Sequence, residues 1–297
     1  MKQQKSFKKF TTETISWLKC LNKTRTAETY QSALNSFMQF RNGIDVPLDK
    51  INADMMLLYE SWLKGRSVTM NTISFYMRVL RAIYNRAVEK GLTEQNRPFK
   101  HVYTSIGKTV KRAIPIEAIS NLKSLDLSKH PSLELTRDLF LFSFYTRGMA
   151  FVDMAYLKKN DLKNNRLVYR RHKTGQLLSI GWESCMQSIV EKHSDKSSPY
   201  LLPIIKKAGN ERIQYRNAQH LFNAHLKTIS KLVSLKKPIS MYVARHSWAS
   251  SASKKNIPLS VISEGMGHNS ENTTRIYLAS IENSVIDEAN RIIIDSV

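Results

Sequence analysis

The sequence predicts a mainly α protein, with a helical N-terminal domain followed by an α+β domain that contains a small antiparallel β-sheet. Three observations support this fold class. The chain has 297 residues, which is enough for two domains of ordinary size. Apolar residues recur at helical spacing through most of the first 95 residues. One stretch, RLVYRRHKTGQLLSI, instead alternates around a Lys173-Thr174-Gly175 turn and indicates a β-hairpin.

Residues 1–95 form the predicted N-terminal domain. The stretch TAETYQSALNSFMQF predicts a helix with Thr26 as its N-cap. The stretch DMMLLYESWL predicts a second helix, whose inward residues are Met55, Leu58 and Trp62. The clearest helix is TMNTISFYMRVLRAIYNRAVEKG, where one stripe collects the apolar side chains Ile73, Met77, Leu80, Tyr84 and Ala87.

Residues 96–113 have no sustained periodicity and carry several basic residues and prolines, so they predict an interdomain linker. Residues 114–297 form the predicted second domain. In it, LELTRDLFLFSFYTRG is apolar almost all round and predicts a buried helix that ends at Gly148. The stretch AFVDMAYL predicts a short helix, and the chain from Pro199 onward reads as helical.

The charge of the chain indicates an anionic partner. There are 46 Lys and Arg residues against 24 Asp and Glu, a net charge of +22. Such an excess destabilises a compact state by self-repulsion unless an anion compensates it, and nucleic acid is the leading candidate. Arg78, Arg81 and Arg86 fall outside the apolar stripe of their helix. They form either a solvated face or a set of DNA contacts, and the net charge favours DNA.

The sequence gives little support for a membrane or secreted protein, or for chemistry that needs a cofactor or a metal. No apolar run approaches the roughly 18 residues that span a bilayer, and the N-terminus lacks the pattern of a signal peptide. Cys20 and Cys185 have no metal-type spacing, so we expect a reduced, cytoplasmic protein. The sequence contains no P-loop, no D-x-D cluster and no G-x-S-x-G elbow. We therefore expect no cofactor and no metal.

Metal-free attack on a phosphodiester needs a nucleophile, cations for the non-bridging oxygens and an acid for the leaving oxygen. The stretch KKPISMYVARHSWAS places Arg245 and His246 inside a predicted helix after Pro238. Arginine suits a phosphate because its planar fork donates two parallel hydrogen bonds. An Arg-His dipeptide alone is nevertheless more typical of a surface helix.

The order of the motifs is more specific than any one of them. ARHSWAS is followed about 20 residues later by MGHNSENTTRIY, which puts His268 nine residues before Tyr277. This arrangement closely resembles the C-terminal motifs of the tyrosine recombinases, the phage-integrase family. The resemblance extends to the buried helix, the hairpin turn with Lys173, the basic linker and the helical N-terminal domain, and so covers essentially the whole chain.

The resemblance implies a site-specific recombinase that cuts and rejoins duplex DNA through a 3′-phosphotyrosyl intermediate. Tyr277 would attack the scissile phosphate, and Arg245 and Arg147 would hold its non-bridging oxygens. His268 would hydrogen-bond the same phosphate, and Lys173 would protonate the departing 5′ oxygen. The outcome would be integration, excision or inversion of a DNA element.

Two positions depart from the family pattern. Tyr242 stands where the family usually has a histidine, three residues before Arg245. Ala150 stands where the family has its first arginine, two residues after the glycine that ends the buried helix. Arg147 could supply that guanidinium, or it could serve only as a helix C-terminal cation. Arg170 or Arg171 in the hairpin could fill the role instead.

The partners implied are double-stranded DNA, three further copies of the chain around two synapsed duplexes, and possible accessory DNA-bending proteins. The segment after Tyr277 predicts a helix that docks either on a neighbour or on its own domain, with the apolar face Ile281, Val285, Ala289 and Ile292. Two alternative functions remain open at this point. They are a DNA-binding regulator that has lost catalysis and a DNA-relaxing enzyme similar to type IB topoisomerases.

Overall fold

The computed structural model describes residues 5–107, 112–268, 270–277, 290–291 and 293–295, and it leaves the side chains of Ile276 and Tyr277 undescribed. The chain divides into two compact units, Met1–Thr109 and Val110–Val297. In the described part of the chain, no helix is both long and apolar enough to cross a membrane.

The first unit is built from helices around an aromatic core. Its elements are α1 (Phe7–Cys20), α2 (Thr24–Phe40), a 3-10 turn (Leu48–Lys50), α3 (Ala53–Gly65) and α4 (Met70–Glu89). The ring of Phe37 lies at the centre, with ring centroids 5.4 Å from Phe7 and 5.3 Å from Tyr59, both edge-to-face. Edge-to-face contacts of this kind stabilise aromatic pairs in addition to the contribution of their buried area.

The predicted helices of this unit are present, with two corrections of detail. The apolar stripe of α4 is buried as predicted. Helix α2 begins at Thr24 rather than after Thr26, because the chain turns at Asn22 (φ 56°) and is already helical two residues earlier. In α3, Leu58 is 64% exposed, and Met56 and Leu63 are buried instead. Met55 and Trp62 do pack against the core, as predicted. The run of adjacent apolar residues in α3 fits more than one helical register, so periodicity was wrong at Leu58.

The chain after α4 packs on the first unit for several more residues. Phe99 and Val102 are buried in its core. The backbone N–H of Tyr103 donates to the Glu60 carboxylate at 2.7 Å. Periodicity gives no signal for this packing, because it depends on isolated side chains in irregular chain.

Among the described residues, the second unit contains eight α-helices, one 3-10 turn and one small sheet. Its helices are α5 (Ile116–Ser124), α6 (Pro131–Tyr145), α7 (Phe151–Tyr156), α8 (Ser184–His193), α9 (Glu211–Leu232), α10 (Met241–Lys254), α11 (Leu259–Gly265) and α12 (Glu271–Tyr277), with a 3-10 turn at Lys159–Asp161. Its strands are β1 (Leu162–Lys163), β2 (Arg166–Arg170) and β3 (Leu177–Gly181). They pair antiparallel in the order β1-β2-β3, with Val168 opposite Ser179.

Helix α6 is the centre of this unit, as its nearly uniform apolar composition predicts. Leu139, Phe140 and Phe142 are fully enclosed, and α6 packs against α5, α8, α9 and α10. The predicted hairpin is confirmed as β2 and β3, and β1 adds a third strand. The mainly helical fold with a small antiparallel sheet is thus the predicted one.

Candidate active site

Helix α10 places Arg245 in the interior, where it is 4% exposed. Its Nη1 donates to the carbonyl of Gly148 at 2.7 Å, and its Nη2 donates to the carbonyl of Met266 at 2.7 Å. The helix can approach this closely only because residue 148 is a glycine. A Cβ there would lie 2.5 Å from the Arg245 Cα, and the backbone has φ +71°. Arg245 therefore joins the end of the buried helix to the segment between α11 and α12.

His268 lies against the same guanidinium. Its Nε2 is 2.8 Å from Nη2 of Arg245, and its Nδ1 is 2.8 Å from the hydroxyl oxygen of Thr274 on α12. Burial, together with the positive charges of Arg245, Arg171 and Lys173, lowers the pKa of His268 to about 4. The ring is therefore neutral at neutral pH, and cationic groups surround it.

The hairpin turn carries Lys173 at the surface. The turn is closed by the N–H of Arg171, which donates to Gln176 at 2.9 Å, and by the N–H of Gly175, which donates to Arg171 at 2.8 Å. Arg170 is exposed and donates to the carbonyl of Gly175 at 3.1 Å. Lys173 is close enough to His268 for its charge to act on that ring, so the turn and the Gly-His segment belong to one site.

Arg171 is buried beneath that turn, 7% exposed. Its Nη1 donates to the carbonyl of Gly267, and its Nε lies 3.9 Å from the carboxylate of Asp153 on α7. That carboxylate also accepts from the N–H of His172 at 2.8 Å. Together with Arg245, Arg171 thus holds the two successive carbonyls that precede His268. Arg171 differs from Arg245 in also facing a carboxylate, that of Asp153, which compensates its charge inside the protein.

Arg147 occupies the junction between α6 and α7 in a left-handed backbone conformation, φ 60°. The last turn of α6 has other donors: Thr146 binds the carbonyl of Phe142 through N–H at 2.9 Å and hydroxyl at 2.7 Å, and Gly148 N–H binds Ser143 at 2.8 Å. Arg147 is not needed as a cap. Its side chain runs past Gly265, where a Cβ would stand 3.6 Å from its Cδ, so it follows the Gly-His segment.

The two residues that depart from the family pattern, Ala150 and Tyr242, line one cavity. Ala150 and Tyr242 both border a space of about 170 Å³ that also reaches Arg245. Tyr242 is 50% exposed, and its ring meets that of His246 edge-to-face at 4.9 Å.

Tyr277 is the last residue of α12, and its side chain lies outside the description. The apolar face predicted after it, Ile281, Val285, Ala289 and Ile292, also falls outside the described residues. Among the residues that can be described, no cluster of three His, Cys, Asp or Glu side chains is arranged to hold a metal.

Asp153 and Thr274 are site residues that the sequence pattern did not single out. Thr274 stands in the Thr-Thr pair between His268 and Tyr277, which is a visible signal without an obvious meaning. Asp153 is a lone carboxylate in an apolar stretch, and its burial raises its pKa. Asp153 acts through His172, 19 residues away, and Thr274 acts through His268, 6 residues away. Neither separation is a helical spacing, so periodicity could not assign them.

The helical fold, together with an arginine and a histidine held just ahead of a tyrosine-bearing helix, defines the class of tyrosine-dependent DNA strand transferases. Comparison with family models agrees: residues 6–103 match the Phage integrase SAM-like domain, and residues 122–283 match the Phage integrase family. The chain belongs to the phage integrase family. Its function as a site-specific recombinase that cuts and rejoins duplex DNA, predicted from the motifs, is confirmed by this membership.

Similar proteins include tyrosine recombinases of bacteria. The chain is 26% identical to tyrosine recombinase XerC of Rickettsia bellii over 284 residues, covering 89% of this chain and 90% of the relative. It is 24% identical to XerC of Thermodesulfovibrio yellowstonii over 274 residues, covering 86% and 87%.

Solved structures share the fold at lower identity. A lambda integrase dimer bound to a COC′ core site matches with a TM-score of 0.69 and 15% identity, covering 94% of this chain and 80% of that one. The Tn1549 transposon integrase in complex with a circular intermediate DNA matches with a TM-score of 0.66 and 16% identity, covering 96% and 99%.

Proposed function

We propose that this recombinase cleaves DNA with Tyr277 as the nucleophile, and that Arg245, Arg147, His268 and Lys173 act on the scissile phosphate. The observation that carries the proposal is the 2.8 Å contact between Arg245 and His268. It brings together two motifs 23 residues apart, directly ahead of the helix that ends at Tyr277.

The charges around His268 support phosphate binding. Burial holds the pKa of this ring at about 4, and three nearby cations, Arg245, Arg171 and Lys173, contribute in the same direction to that value. A phosphate anion would be stabilised by the same environment, and its charge would raise the affinity of His268 for a proton. A tyrosine hydroxyl has an ordinary pKa near 10, so a cationic site also favours the phenolate that attacks phosphorus.

The remaining roles follow from position. Arg147 contributes the second guanidinium for the non-bridging oxygens, because its backbone aims it along the Gly-His segment instead of at its own helix. Tyr242 supports the same phosphate by hydrogen bonding from the rim of the cavity beside Arg245. Lys173, exposed on its turn, protonates the departing 5′ oxygen, since an ammonium on a flexible stem can follow the leaving group.

The domain roles and partners are proposed on the same basis. Residues 1–95 clamp duplex DNA with the help of Arg78, Arg81 and Arg86, residues 96–113 serve as the basic linker, and residues 114–297 form the catalytic domain. Strand exchange uses four protomers, by analogy with a lambda integrase tetramer bound to a Holliday junction, which matches with a TM-score of 0.70. The protein acts in the cytoplasm on a mobile element, with accessory DNA-bending proteins as further partners and no cofactor or metal.

The test is covalent capture on a nicked duplex that carries the inverted repeats identified by sequencing the DNA on either side of the gene. We expect wild-type protein to form a denaturation-resistant adduct, and Tyr277→Phe to form none while keeping its DNA affinity, because only the nucleophilic oxygen is removed. Tyr200→Phe, a change of the same size in a buried tyrosine outside the site, is the matched control and should form the adduct normally.

Persistence of the adduct in the Tyr277→Phe variant would assign the nucleophile to another residue. Absence of any adduct from the wild type on its own repeats would favour a regulator without catalysis. Adducts that relax supercoils without exchanging strands would favour the topoisomerase-like activity. No observation on the fold, the site or the similar proteins favours either alternative.

A further inference from the structure

The two threonines between His268 and Tyr277 occupy opposite environments. Thr273 is exposed on α12, whereas Thr274 is completely buried. The hydroxyl oxygen of Thr274 lies 2.8 Å from Nδ1 of His268. The same imidazole is therefore held at both nitrogens, by Thr274 on one side and by Arg245 on the other.

The two contacts determine which nitrogen carries the proton. A guanidinium has only N–H donors, so Nε2 of His268 must accept from Nη2 of Arg245. A neutral imidazole with a lone pair on Nε2 carries its proton on Nδ1. The Nδ1–H then donates to the hydroxyl oxygen of Thr274, and the 2.8 Å separation suits such a bond.

We propose that Thr274 is a positioning residue that fixes His268 in the Nδ1–H tautomer and keeps Nε2 directed at Arg245. The proposal rests on the proposed role of His268 at the scissile phosphate. A hydroxyl oxygen accepts from Nδ1–H equally in the neutral and the protonated ring. When a phosphate arrives and Nε2 takes up a proton from solvent, this nitrogen can therefore change from acceptor to donor without any rotation of the ring.

The position of Thr274 adds a second consequence. It lies three residues before Tyr277 on α12, about one helical turn. Its hydrogen bond consequently ties the helix that presents the nucleophile to the ring that meets the phosphate. Replacing the hydroxyl by a methyl group would leave the buried volume filled but would release both the tautomer and this link.

Nitrogen NMR of uniformly ¹⁵N-labelled, full-length, DNA-free protein tests the tautomer directly, with the His268 signals assigned by their loss in His268→Gln. At neutral pH we expect a protonated Nδ1 and an unprotonated Nε2 in the wild type. Thr274→Val should mix the two tautomers, and Thr274→Ser should restore the wild-type pattern. A protonated Nε2 in the wild type, or an unchanged pattern in Thr274→Val, would overturn the proposal.

Single-turnover cleavage tests the consequence. Losing one neutral hydrogen bond that orients a reacting group should slow Thr274→Val by about tenfold, with DNA affinity unchanged. Thr274→Ser should recover most of the rate, and Thr273→Val, the exposed neighbour, should cleave like the wild type. The melting temperatures of all three variants show whether any loss of cleavage rate is due to misfolding.

The outcomes separate the two levels of the argument. A slower Thr274→Val with a wild-type tautomer pattern would leave Thr274 as a packing residue and reject the positioning role. Normal cleavage by His268→Gln would instead reject the proposed role of His268 in the reaction, while the NMR measurement would still decide which nitrogen Thr274 holds.

Discussion

Helix α10 and the α6–α7 junction each bring an arginine to the site, and their backbones do so in opposite ways. Arg245 lies inside a regular helix and is held by two carbonyls and an imidazole. Arg147 lies at φ 60°, where a side chain with a Cβ is strained, and it is not used to cap its own helix. Stability explains the first arrangement. In the second, the left-handed backbone ends α6, since the next N–H, of Gly148, donates back to Ser143 at 2.8 Å. The fold uses this backbone turn but not the guanidinium, which is a reason to infer a function for the side chain.

The largest effect should come from replacing Arg147 by glycine. Glycine adopts a positive φ without the Cβ penalty of about 1 kcal/mol, so the melting temperature should be equal or higher. Cleavage should nevertheless fall by about 10²–10³, the usual loss when one fixed donor to a developing oxyanion is removed. Single-turnover cleavage and thermal unfolding of the same preparation measure both quantities.

Two controls sharpen this experiment. Arg147→Lys keeps the charge but loses the bidentate fork, and should recover little of the rate. Ser234→Gly relieves a similar backbone conformation, φ 53°, away from the site, and should leave cleavage intact. Wild-type cleavage by Arg147→Gly would break the contrast between the two arginines and return the phosphate role to Arg170 or Arg171.

An intermediate effect should follow from Gly148→Ala, which acts on the contact between the two regions. The new Cβ would lie 2.5 Å from the Arg245 Cα, so α10 or the junction must move. Overpacking of this kind costs about 1–3 kcal/mol, and a displaced Arg245 should lower cleavage as well. Gly209→Ala is the matched control, because its φ is +83° but no atom of the described residues lies within 4 Å of the position its Cβ would take. Equal losses of stability in both variants would mean that strain, not the close approach, explains Gly148.

The smallest effect should be the pH dependence due to His268. Its pKa is about 4 in the folded chain against an ordinary 6.5. Between those values the unfolded chain binds a proton that the folded chain does not, so the free energy of unfolding falls as the pH falls from about 6.5 to about 4. Because the ring is only partly buried, we expect a contribution of about 1 kcal/mol, or about 2–4 °C in melting temperature.

Comparison with His268→Gln isolates that contribution. Glutamine does not titrate, so the difference in melting temperature between wild type and variant should shrink as the pH is lowered from 7 to 4.5. A constant difference over this range would show that His268 is not held neutral beside Arg245.

Much of this arrangement can be predicted from the sequence, where the signal is local. The stripe of α4, the hairpin around Lys173 and the order of Arg245, His268 and Tyr277 depend on spacing along one stretch of chain. The face of α3 was wrong at Leu58, because consecutive apolar residues do not define a register. The clamp of Arg171 on Gly267 joins residues 96 apart, and only the folded chain brings them together.

One further hydrogen bond has a practical consequence for handling the protein. The N–H of Ile114 donates to the hydroxyl of Ser247 at 2.9 Å, and Ser247 is fully buried in α10 two residues after Arg245. A fragment that started at Ile116 would delete this donor and leave a polar group in the interior to be solvated or distorted. Anyone who expresses the second unit alone should therefore cut the gene upstream of Ile114, so that the reagent retains the bond that anchors its arginine helix.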